Sequence, residues 1–354
     1  MAKYLVTGGA GFIGSNIVEE LVRLKGGGRD CPQRAAYLLK GAAPEVDEIH
    51  VLDNFSTGSK KNIEPFIKKI ELIEGDIRDK EMLSKALRGI DFVIHQAALR
   101  SVAKSVEDPF ATNDVNVFGT LNLLMAAKEA GVKRVVYASS SSAYGDAKRF
   151  PQKETDTPVP ISPYGVSKLA AEHYCITFAK TFGLETVSLR YFNVFGPRQN
   201  PESRYSAAIP AILAKMLKNE KPIVEWDGKQ SRDFTYVSNV VNANLRACHV
   251  RGISGEVFNV ACGTTTSILD IVKDVNKILK INLKPEYAAK RAGDVRKTYA
   301  DITKMRNVLG FKGIVGFEEG LKLTVDWFAT SLREHGSRRH CEEAFMPTKQ
   351  SQKS

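Results

Sequence analysis

The first two dozen residues constrain the fold more than any other part of the chain. Residues 3–7 form a short apolar run that predicts a buried strand, and residues 15–24 have the apolar spacing of a helix. Between the two stand Gly8, Gly11 and Gly14. Glycine lets the backbone approach a phosphate closely, and the free N–H groups at a helix start attract an anion. A strand, a glycine turn and a helix in this order predict the first unit of a dinucleotide-binding fold.

An acidic residue at the end of the second predicted strand suggests which dinucleotide is bound. Asp53, followed by Asn54, is placed to accept hydrogen bonds from the adenosine ribose, which favours NAD over NADP. Asp53 follows Gly14 at nearly twice the usual spacing of about 20 residues. The additional residues of this spacing lie within residues 25–46, which contain several glycines and prolines. They therefore predict a surface insertion, and a functional loop is the alternative.

Two further strand ends complete the predicted cofactor side. Asp76 and Ile77 end a third apolar run and would border the adenine, whereas Gln96 and Ala97 follow a fourth, where small residues let the backbone lie against a cofactor. Apolar strand runs alternate with helical stretches up to about residue 183. This alternation predicts an α/β fold with a doubly wound parallel sheet, followed by a smaller mixed α/β lobe.

A tyrosine and a lysine four residues apart indicate catalysis. Ser162 and Pro163 are typical of a helix start, so Tyr164 and Lys168 should lie on one face of a helix. The usual tyrosine pKa is about 10, and a nearby cation lowers it by favouring the phenolate. We therefore expect Lys168 to make Tyr164 a usable base. Four serines, residues 139–142, end the preceding apolar run.

These motifs, in this order, resemble the extended short-chain dehydrogenase/reductases. The resemblance also includes residues 95–98 and 190–197, and it covers about residues 1–328 apart from the insertion. Ser231-Arg-Asp-Phe and the segment from Gly293 to Asp301 make the chain similar to the UDP-sugar 4-epimerases of that family. The resemblance implies NAD oxidation of the sugar at C4, turnover of the keto intermediate and return of hydride to the opposite face.

The resemblance also implies roles for individual residues of the cofactor side. Tyr164 would exchange a proton with the C4 hydroxyl, and Lys168 would hold the phenolate and the nicotinamide ribose. Ser140 matches the catalytic serine, although a run of four serines leaves its register open by one. Arg100 matches a position near the cofactor. The cofactor-binding set is Gly8, Gly11, Phe12, Ile13, Gly14, Asp53, Asn54, Asp76, Ile77, Gln96, Ala97, Arg100, Tyr164 and Lys168.

The same resemblance implies a substrate lobe over residues 196–330 beside an NAD domain over 1–195, to which residues 233–262 also contribute. Arg232 and Arg296 match cations that grip the UDP diphosphate, and Asn193 matches a residue that contacts the sugar or phosphate. Trp226 flanks the uracil or packs in the core. Thr298 matches a position that faces the C2 substituent of the sugar, where a small residue admits an N-acetyl group. Ser140 and Ser141 complete the substrate set.

The absence of acidic residues next to Ser140 limits the reactions that the chain can catalyse. Family members that eliminate water carry an Asp-Glu pair after the catalytic serine or threonine, and the decarboxylases usually keep a glutamate there, but this chain has Ser141 and Ser142. Serine cannot act as acid or base near pH 7. We therefore expect epimerisation of UDP-N-acetylglucosamine and UDP-glucose. UDP-glucuronate is the alternative substrate, with Arg100 or Ser101 binding its carboxylate, and a catalytically idle NAD-binding regulator is the alternative of another class.

Composition sets the remaining expectations. A chain of 354 residues that is 43% hydrophobic can bury a full α/β core. No long apolar stretch or leader is apparent, and the five cysteines show no ligand spacing, so we expect a cytoplasmic protein without a metal. The net charge of +11 is scattered, which suits an anionic small substrate better than nucleic acid. We also expect a homodimer, by resemblance, and a disordered tail over residues 331–354.

Overall fold

A computed structural model of the chain describes residues 1–26, 45–201, 207–290, 295–311 and 314–344. Its centre is a seven-stranded parallel sheet with the strand order β11-β6-β5-β4-β1-β2-β3. The strands are β1 Ala2–Thr7, β2 Val46–Asp53, β3 Glu71–Glu74, β4 Phe92–His95, β5 Arg134–Ser140, β6 Glu185–Tyr191, β7 Val194–Phe195, β8 Ile223–Glu225, β9 Ser231–Arg232, β10 Thr235–Tyr236, β11 Glu256–Val260, β12 Thr266–Ser267 and β13 Glu286–Ala288.

Eleven α-helices are described, and they cover the sheet or build the second lobe. They are α1 Phe12–Lys25, α2 Lys80–Ala86, α3 Val102–Glu107, α4 Pro109–Asn113, α5 Gly119–Glu129, α6 Pro163–Thr177, α7 Ala208–Met216, α8 Val237–His249, α9 Ile268–Leu279, α10 Thr303–Val308 and α11 Phe317–Ala344. Short 3₁₀ turns occur at residues 60–62, 64–69 and 141–144, and π-helical turns occur at 114–118 and 178–182.

The sheet creates a crevice at the point where its strand order reverses. Strand β1 pairs with β2 on one side and with β4 on the other, so the connections leave in opposite directions at its carboxyl end. In open parallel sheets, ligands bind in the crevice at such a switch point. The glycine turn after Thr7 and the strand end at His95 border this crevice.

The apolar strands are buried because helices cover both faces of the sheet. All seven residues of β5 are buried, as a parallel strand with two covered faces requires. One core cluster packs Val6 and Val136 against α1 and α8, and another packs Leu5 and Val135 against α2, α5 and α6. These layers confirm the predicted doubly wound fold.

The second lobe has its own apolar core and three two-stranded sheets. The sheets pair β7 with β10, β9 with β12 and β8 with β13. Phe195, Leu213, Phe234, Ile271 and Leu321 belong to this core. The lobe thus combines short strands with helices α7, α9 and α11, as predicted for a smaller mixed α/β unit.

The predicted insertion and the predicted tail are only partly described by the structure. Of the insertion predicted over residues 25–46, residues 27–44 lie outside the described part of the chain. Of the disordered tail predicted over residues 331–354, residues 345–354 lie outside the described part of the chain, and α11 continues to Ala344, which differs from the prediction. Residues 331–344 include good helix formers and no proline, which favours a helical backbone. A search of the described residues finds no helix of the length and hydropathy needed to cross a membrane.

Candidate active site

A cavity of about 340 Å³ lies at the carboxyl ends of the central strands. It brings together residues that are far apart in the sequence, from the glycine turn after β1 to the loop after β6. Its wall includes seventeen of the predicted site residues: Gly8, Gly11, Phe12, Ile13, Gly14, Asp53, Asn54, Asp76, Ile77, Gln96, Ala97, Arg100, Ser140, Ser141, Tyr164, Lys168 and Asn193.

The glycine turn packs too tightly for side chains. Gly8 has φ +66°, and a Cβ atom there would lie 2.6 Å from the Ala97 backbone nitrogen. A Cβ atom at Gly14 would collide with the carbonyl oxygen of Gly8. Helix α1 therefore begins directly against the turn. No side chain caps this fully described helix, and its first turn holds no acidic residue, so its first N–H groups suit an anion.

Asp53 is held in a fixed orientation at the end of β2. Its Oδ2 accepts a hydrogen bond from Ala10 N (2.9 Å), and its Oδ1 accepts one from Phe55 N (2.8 Å). Burial raises the pKa of this carboxyl, and the two N–H donors act in the opposite direction. A glycine turn without room for side chains and an oriented carboxylate beside it fit the pyrophosphate and ribose of NAD.

A buried histidine braces the same turn. His95 hydrogen-bonds Thr7 Oγ1 (2.6 Å) on one side and Thr120 Oγ1 (3.0 Å) on the other. Thr7 Oγ1 in turn accepts from Ala97 N (3.3 Å). Burial lowers the pKa of His95 to about 3, so the ring is neutral near pH 7. His95 belongs to the recognised motif over residues 95–98 but had no predicted role; the sequence signal for one is a polar residue that ends an apolar strand.

Strand β5 and helix α6 deliver the catalytic candidates to the cavity. Ser162 caps α6 by accepting from Gly165 N (3.1 Å), and Pro163 occupies the first turn, as predicted. Ser140, at the end of β5, accepts from Ser142 N (3.1 Å) and lines the cavity together with Tyr164. It lies near enough to the phenol to lower the pKa of Tyr164, so the predicted proton donor and acceptor pair share one site.

The expected lowering of the Tyr164 pKa by Lys168 is wrong. Burial raises the pKa of Tyr164 above its usual value, while the Ser140 hydrogen bond and the Arg100 charge lower it. Lys168 instead donates to the Ala138 carbonyl oxygen (2.7 Å), and burial lowers its own pKa to about 7. The cost of desolvating both groups outweighs the attraction of a phenolate to a nearby cation. Burial also lowers the pKa of Arg100, although part of its side chain is exposed.

A buried ion pair lies behind the serine run and was missed by the sequence analysis. Glu172, two helical turns after Tyr164, accepts from Arg190 Nη2 (2.6 Å) and from Ser139 Oγ (2.6 Å). Burial lowers the pKa of Arg190, but the contacts with Glu172 raise it more, so the net effect is an increase. Because the Ser139 hydroxyl is bonded to Glu172, whereas Ser140 acts on the pKa of Tyr164, these contacts favour Ser140 over Ser139 as the catalytic serine.

The predicted diphosphate and uracil residues form a separate cluster. Ser231 N donates to Arg296 O (3.1 Å), so the backbones of the Arg232 and Arg296 segments are adjacent. The Arg296 guanidinium donates to both Asp227 oxygens (2.8 and 2.9 Å) and lies 4.6 Å from the Trp226 ring centre. Lys290 Nζ lies 4.2 Å from that centre. Trp226 is half-buried and contacts two cations, which differs from core packing, its alternative role.

Thr298 lies behind the cavity wall. It is buried, and its Oγ1 accepts from Asn193 Nδ2 (2.9 Å). Asn193 itself lines the cavity. In the described part of the chain, Arg232, Arg296, Trp226 and Thr298 do not contribute to the wall that holds Tyr164, and Thr298 reaches it through Asn193.

Two wall residues, one inside the motif over residues 190–197 and one beyond it, had no role predicted from the sequence. Tyr191, the last residue of β6, accepts a hydrogen bond from Gln96 Nε2 (3.0 Å). Gln199 is buried, and its Oε1 has no hydrogen-bond partner among the described residues. Gln199 follows the recognised motif that ends at Pro197 by two positions, so only the fold reveals it.

The fold and this cavity define the class: an α/β enzyme that binds a dinucleotide beside a serine, a tyrosine and a lysine. The chain belongs to the NAD dependent epimerase/dehydratase family, which matches residues 4–261. This match confirms the predicted family and NAD as the cofactor.

Three similar proteins are full-length counterparts. A putative UDP-glucose 4-epimerase of Methanocaldococcus jannaschii is 37% identical over 331 residues, which cover 93% of this chain and 99% of that protein. The structure of UDP-N-acetylglucosamine 4-epimerase from Methanobrevibacter ruminantium M1 with UDP-N-acetylmuramic acid is 35% identical, with a TM-score of 0.83 and coverage of 93% and 99%. UDP-glucose 4-epimerase from Thermotoga maritima with UDP-glucose is 37% identical, with a TM-score of 0.82 and the same coverage.

Proposed function

We propose that the protein interconverts UDP-sugars by inverting C4, with UDP-N-acetylglucosamine and UDP-glucose as substrates. The observation that carries the proposal is one cavity that holds the glycine turn, Asp53, and the Ser140, Tyr164 and Lys168 side chains. The names of the similar proteins support the same reaction. Bound NAD supplies the hydride acceptor for the C4 carbon and the hydride donor for its return.

The residues of the chain supply binding and proton transfer. Tyr164 takes the proton of the C4 hydroxyl as the C4 hydride leaves, and gives a proton back as hydride returns. Ser140, which lines the cavity together with Tyr164, orients the phenol and the sugar hydroxyl. Lys168 stays buried at the end of β5, where it can move from the Ala138 carbonyl to a ribose hydroxyl. Burial raises the pKa of the Tyr164 phenol, and Ser140 and the Arg100 charge act in the opposite direction.

The wall beside Ser140 favours epimerisation over elimination. Elimination of water needs an additional acid and base next to the sugar. Ser141 and Ser142 line the cavity at the positions where dehydratases carry Asp and Glu. A serine hydroxyl does not ionise near neutral pH. Only oxidation and reduction at C4 remain for these groups to catalyse.

A small residue at position 298 supports the acceptance of an N-acetyl group. Thr298 Oγ1 accepts from Asn193, so the hydroxyl is engaged behind the wall and its bulk stays away from the cavity. A tyrosine at this position would project further toward the sugar. We therefore expect both the acetamido sugar and the plain hexose to be turned over.

UDP-glucuronate is the second candidate substrate, because a cation stands in the cavity beside Tyr164. Arg100 lines the wall, and no ion pair of its guanidinium occurs within the described ranges. A C6 carboxylate could pair with it in a bidentate contact. Arg100→Met should then reduce turnover of UDP-glucuronate by a larger factor than turnover of UDP-glucose, which loses only the effect of the Arg100 charge on the Tyr164 pKa.

The direct test is turnover of UDP-N-acetylglucosamine, UDP-glucose and UDP-glucuronate, each followed by proton NMR for the galacto product. Tyr164→Phe serves as the control and should lower turnover by about 10²- to 10⁴-fold. Conversion of the first two, lost in the variant, is the expected result. Conversion of UDP-glucuronate alone would replace the substrate assignment. No conversion of any of them would overturn the proposal in favour of an NAD-binding regulator.

We further propose a homodimer formed by helices α5 and α6. Their outer faces and adjoining turns expose Phe118, Met125, Val166, Tyr174 and Phe182, each between 38% and 53% accessible. A row of large apolar side chains on neighbouring helices is typical of an interface. Met125→Glu should yield a monomer in sedimentation velocity, whereas Ile223→Glu, an exposed apolar residue of the other lobe, should leave a dimer. A monomeric wild-type protein would contradict the proposal.

A further inference from the structure

The substrate side of the cavity depends on a fully buried carboxylate that takes no part in the proposed chemistry. Asp233 has no solvent exposure and follows Arg232 in the loop between β9 and β10. Its Oδ1 accepts from Cys262 N (2.9 Å), and its Oδ2 accepts from Gly263 N (3.0 Å) and Ala300 N (3.3 Å). Because these donors are backbone groups, Asp233 ties the turn after β11 to the segment around Ala300.

The backbone of Asp233 in turn holds the residues next to the sugar. Asp233 N donates to Thr298 O (3.0 Å), and Asp233 O accepts from Asn193 Nδ2 (3.1 Å). The carbonyl of Asn193 accepts from Thr235 N (3.2 Å). Three chain segments that are distant in sequence thus contact the side chain or the backbone of Asp233: Asn193, residues 262–263 and residues 298–300.

Asn193 needs this support because its backbone is strained. Its φ is +31°, in the left-handed region that side chains other than glycine rarely adopt. Such conformations persist only where the surroundings fix them, and they occur frequently at functional sites. Here Asp233 O and Thr298 Oγ1 both accept from the Asn193 amide, which leaves its Oδ1 for the cavity.

We propose that Asp233 is a positioning residue, which holds Asn193 and Thr298 in place for the sugar nucleotide through its buried carboxylate. The identity of that ligand as a UDP-sugar rests on the proposed function. Asp233 acts on the substrate side alone, because no hydrogen bond of its carboxylate reaches the glycine turn or Asp53 in the described ranges.

The test is Asp233→Asn, which keeps the shape of the side chain but replaces one acceptor oxygen by a donor. At least one backbone N–H then loses its acceptor, because an amide NH₂ cannot accept. We expect hydrogen exchange at the amides of Asn193 and Thr298 to become faster, with no change at residues 8–14. The dissociation constant for UDP-N-acetylglucosamine should rise about tenfold, while that for NAD should stay within about twofold.

The matched control is Asp91→Asn. Asp91 also accepts from a backbone amide, Lys3 N (2.9 Å), but it lies at the opposite end of the sheet, so neither ligand constant should change. Unchanged exchange at Asn193 and Thr298 in a folded Asp233→Asn protein would overturn the proposal. So would an equal loss of NAD affinity, which would indicate a general loss of structure.

A measurement on the wild-type protein covers the case in which the variant does not fold. Adding UDP-N-acetylglucosamine should slow exchange of the Cys262 and Gly263 amides, which lie outside the cavity wall, and NAD alone should not. The absence of that difference would overturn the role of Asp233. Because these readouts are binding and exchange, they separate the role of Asp233 from the proposed reaction: binding without turnover would contradict only the reaction.

Discussion

The cofactor side and the substrate side of the cavity are built in different ways. On the cofactor side, a backbone turn without room for a Cβ atom meets a strand end, and buried hydrogen bonds through His95 fix both. On the substrate side, Arg296 pairs with Asp227 at the surface, and Asn193 is held in a strained conformation by bonds to distant segments. The comparison indicates a cofactor site that is rigid before binding and a sugar site that depends on a few long-range contacts.

The strongest test of the rigid side is Gly8→Ala. The added Cβ atom meets the Ala97 backbone, and the φ of +66° strains any side chain, so the free energy of unfolding should fall by more than about 3 kcal/mol. Gly89→Ala is the matched control, because Gly89 has φ +73° with open space around it. That change should cost about 1 kcal/mol. Equal losses in urea unfolding would show that the close approach to Ala97 is unimportant.

The next test concerns the charge of Lys168, a buried residue of the cavity wall. Its pKa is about 7 in the folded protein and 10.5 in the unfolded chain. Between these pH values the unfolded chain holds a proton that the folded protein lacks, so this lysine makes stability rise with pH, by about 1.4 kcal/mol per unit. The free energy of unfolding of wild-type protein minus that of Lys168→Met, measured without NAD, should therefore increase from pH 7 to 10.

The control for this slope is Lys61→Met, which removes an exposed lysine from a 3₁₀ turn and should leave the pH dependence of the wild type intact. A difference between wild type and Lys168→Met that stays flat from pH 7 to 10 would mean that burial does not set the charge of Lys168.

The smallest expected effect concerns the sugar side. Thr298→Tyr should lower kcat/KM for UDP-N-acetylglucosamine about tenfold relative to UDP-glucose, because the larger ring narrows the space at the C2 substituent. Thr298→Ser is the control, since it keeps both the small size and the hydroxyl that accepts from Asn193. A parallel loss for both sugars in the tyrosine variant would show that position 298 acts on stability and not on specificity.

The residues predicted for the cofactor side reach one cavity because their sequence patterns are local. The glycine turn, the strand ends at Asp53 and Gln96, and the start of α6 are patterns a few residues long, and all reach one cavity. Its electrostatics could not be predicted in this way. The pKa of Tyr164 depends on burial and on Arg100, and Lys168 bonds a carbonyl of another element.

The sugar side was harder because its contacts join distant segments. Arg232 and Arg296 were recognised by motif, but the pairing of Arg296 with Asp227 and the role of Asp233 depend on the tertiary fold. The same holds for the Glu172–Arg190 pair, whose partners belong to a helix and a strand. The end of α11 is a different case. Its sequence lacks apolar periodicity, which is typical of disorder, but the helix continues to Ala344.

The central claim is that one cavity removes hydrogen from the C4 carbon of a sugar nucleotide and returns it. The most direct measurement is conversion of C4-deuterated UDP-glucose in ordinary water, with the product analysed by NMR and mass spectrometry. We predict that the galacto product keeps its deuterium at C4 and that none is lost to solvent. Loss of the deuterium label from C4 to solvent would contradict the account.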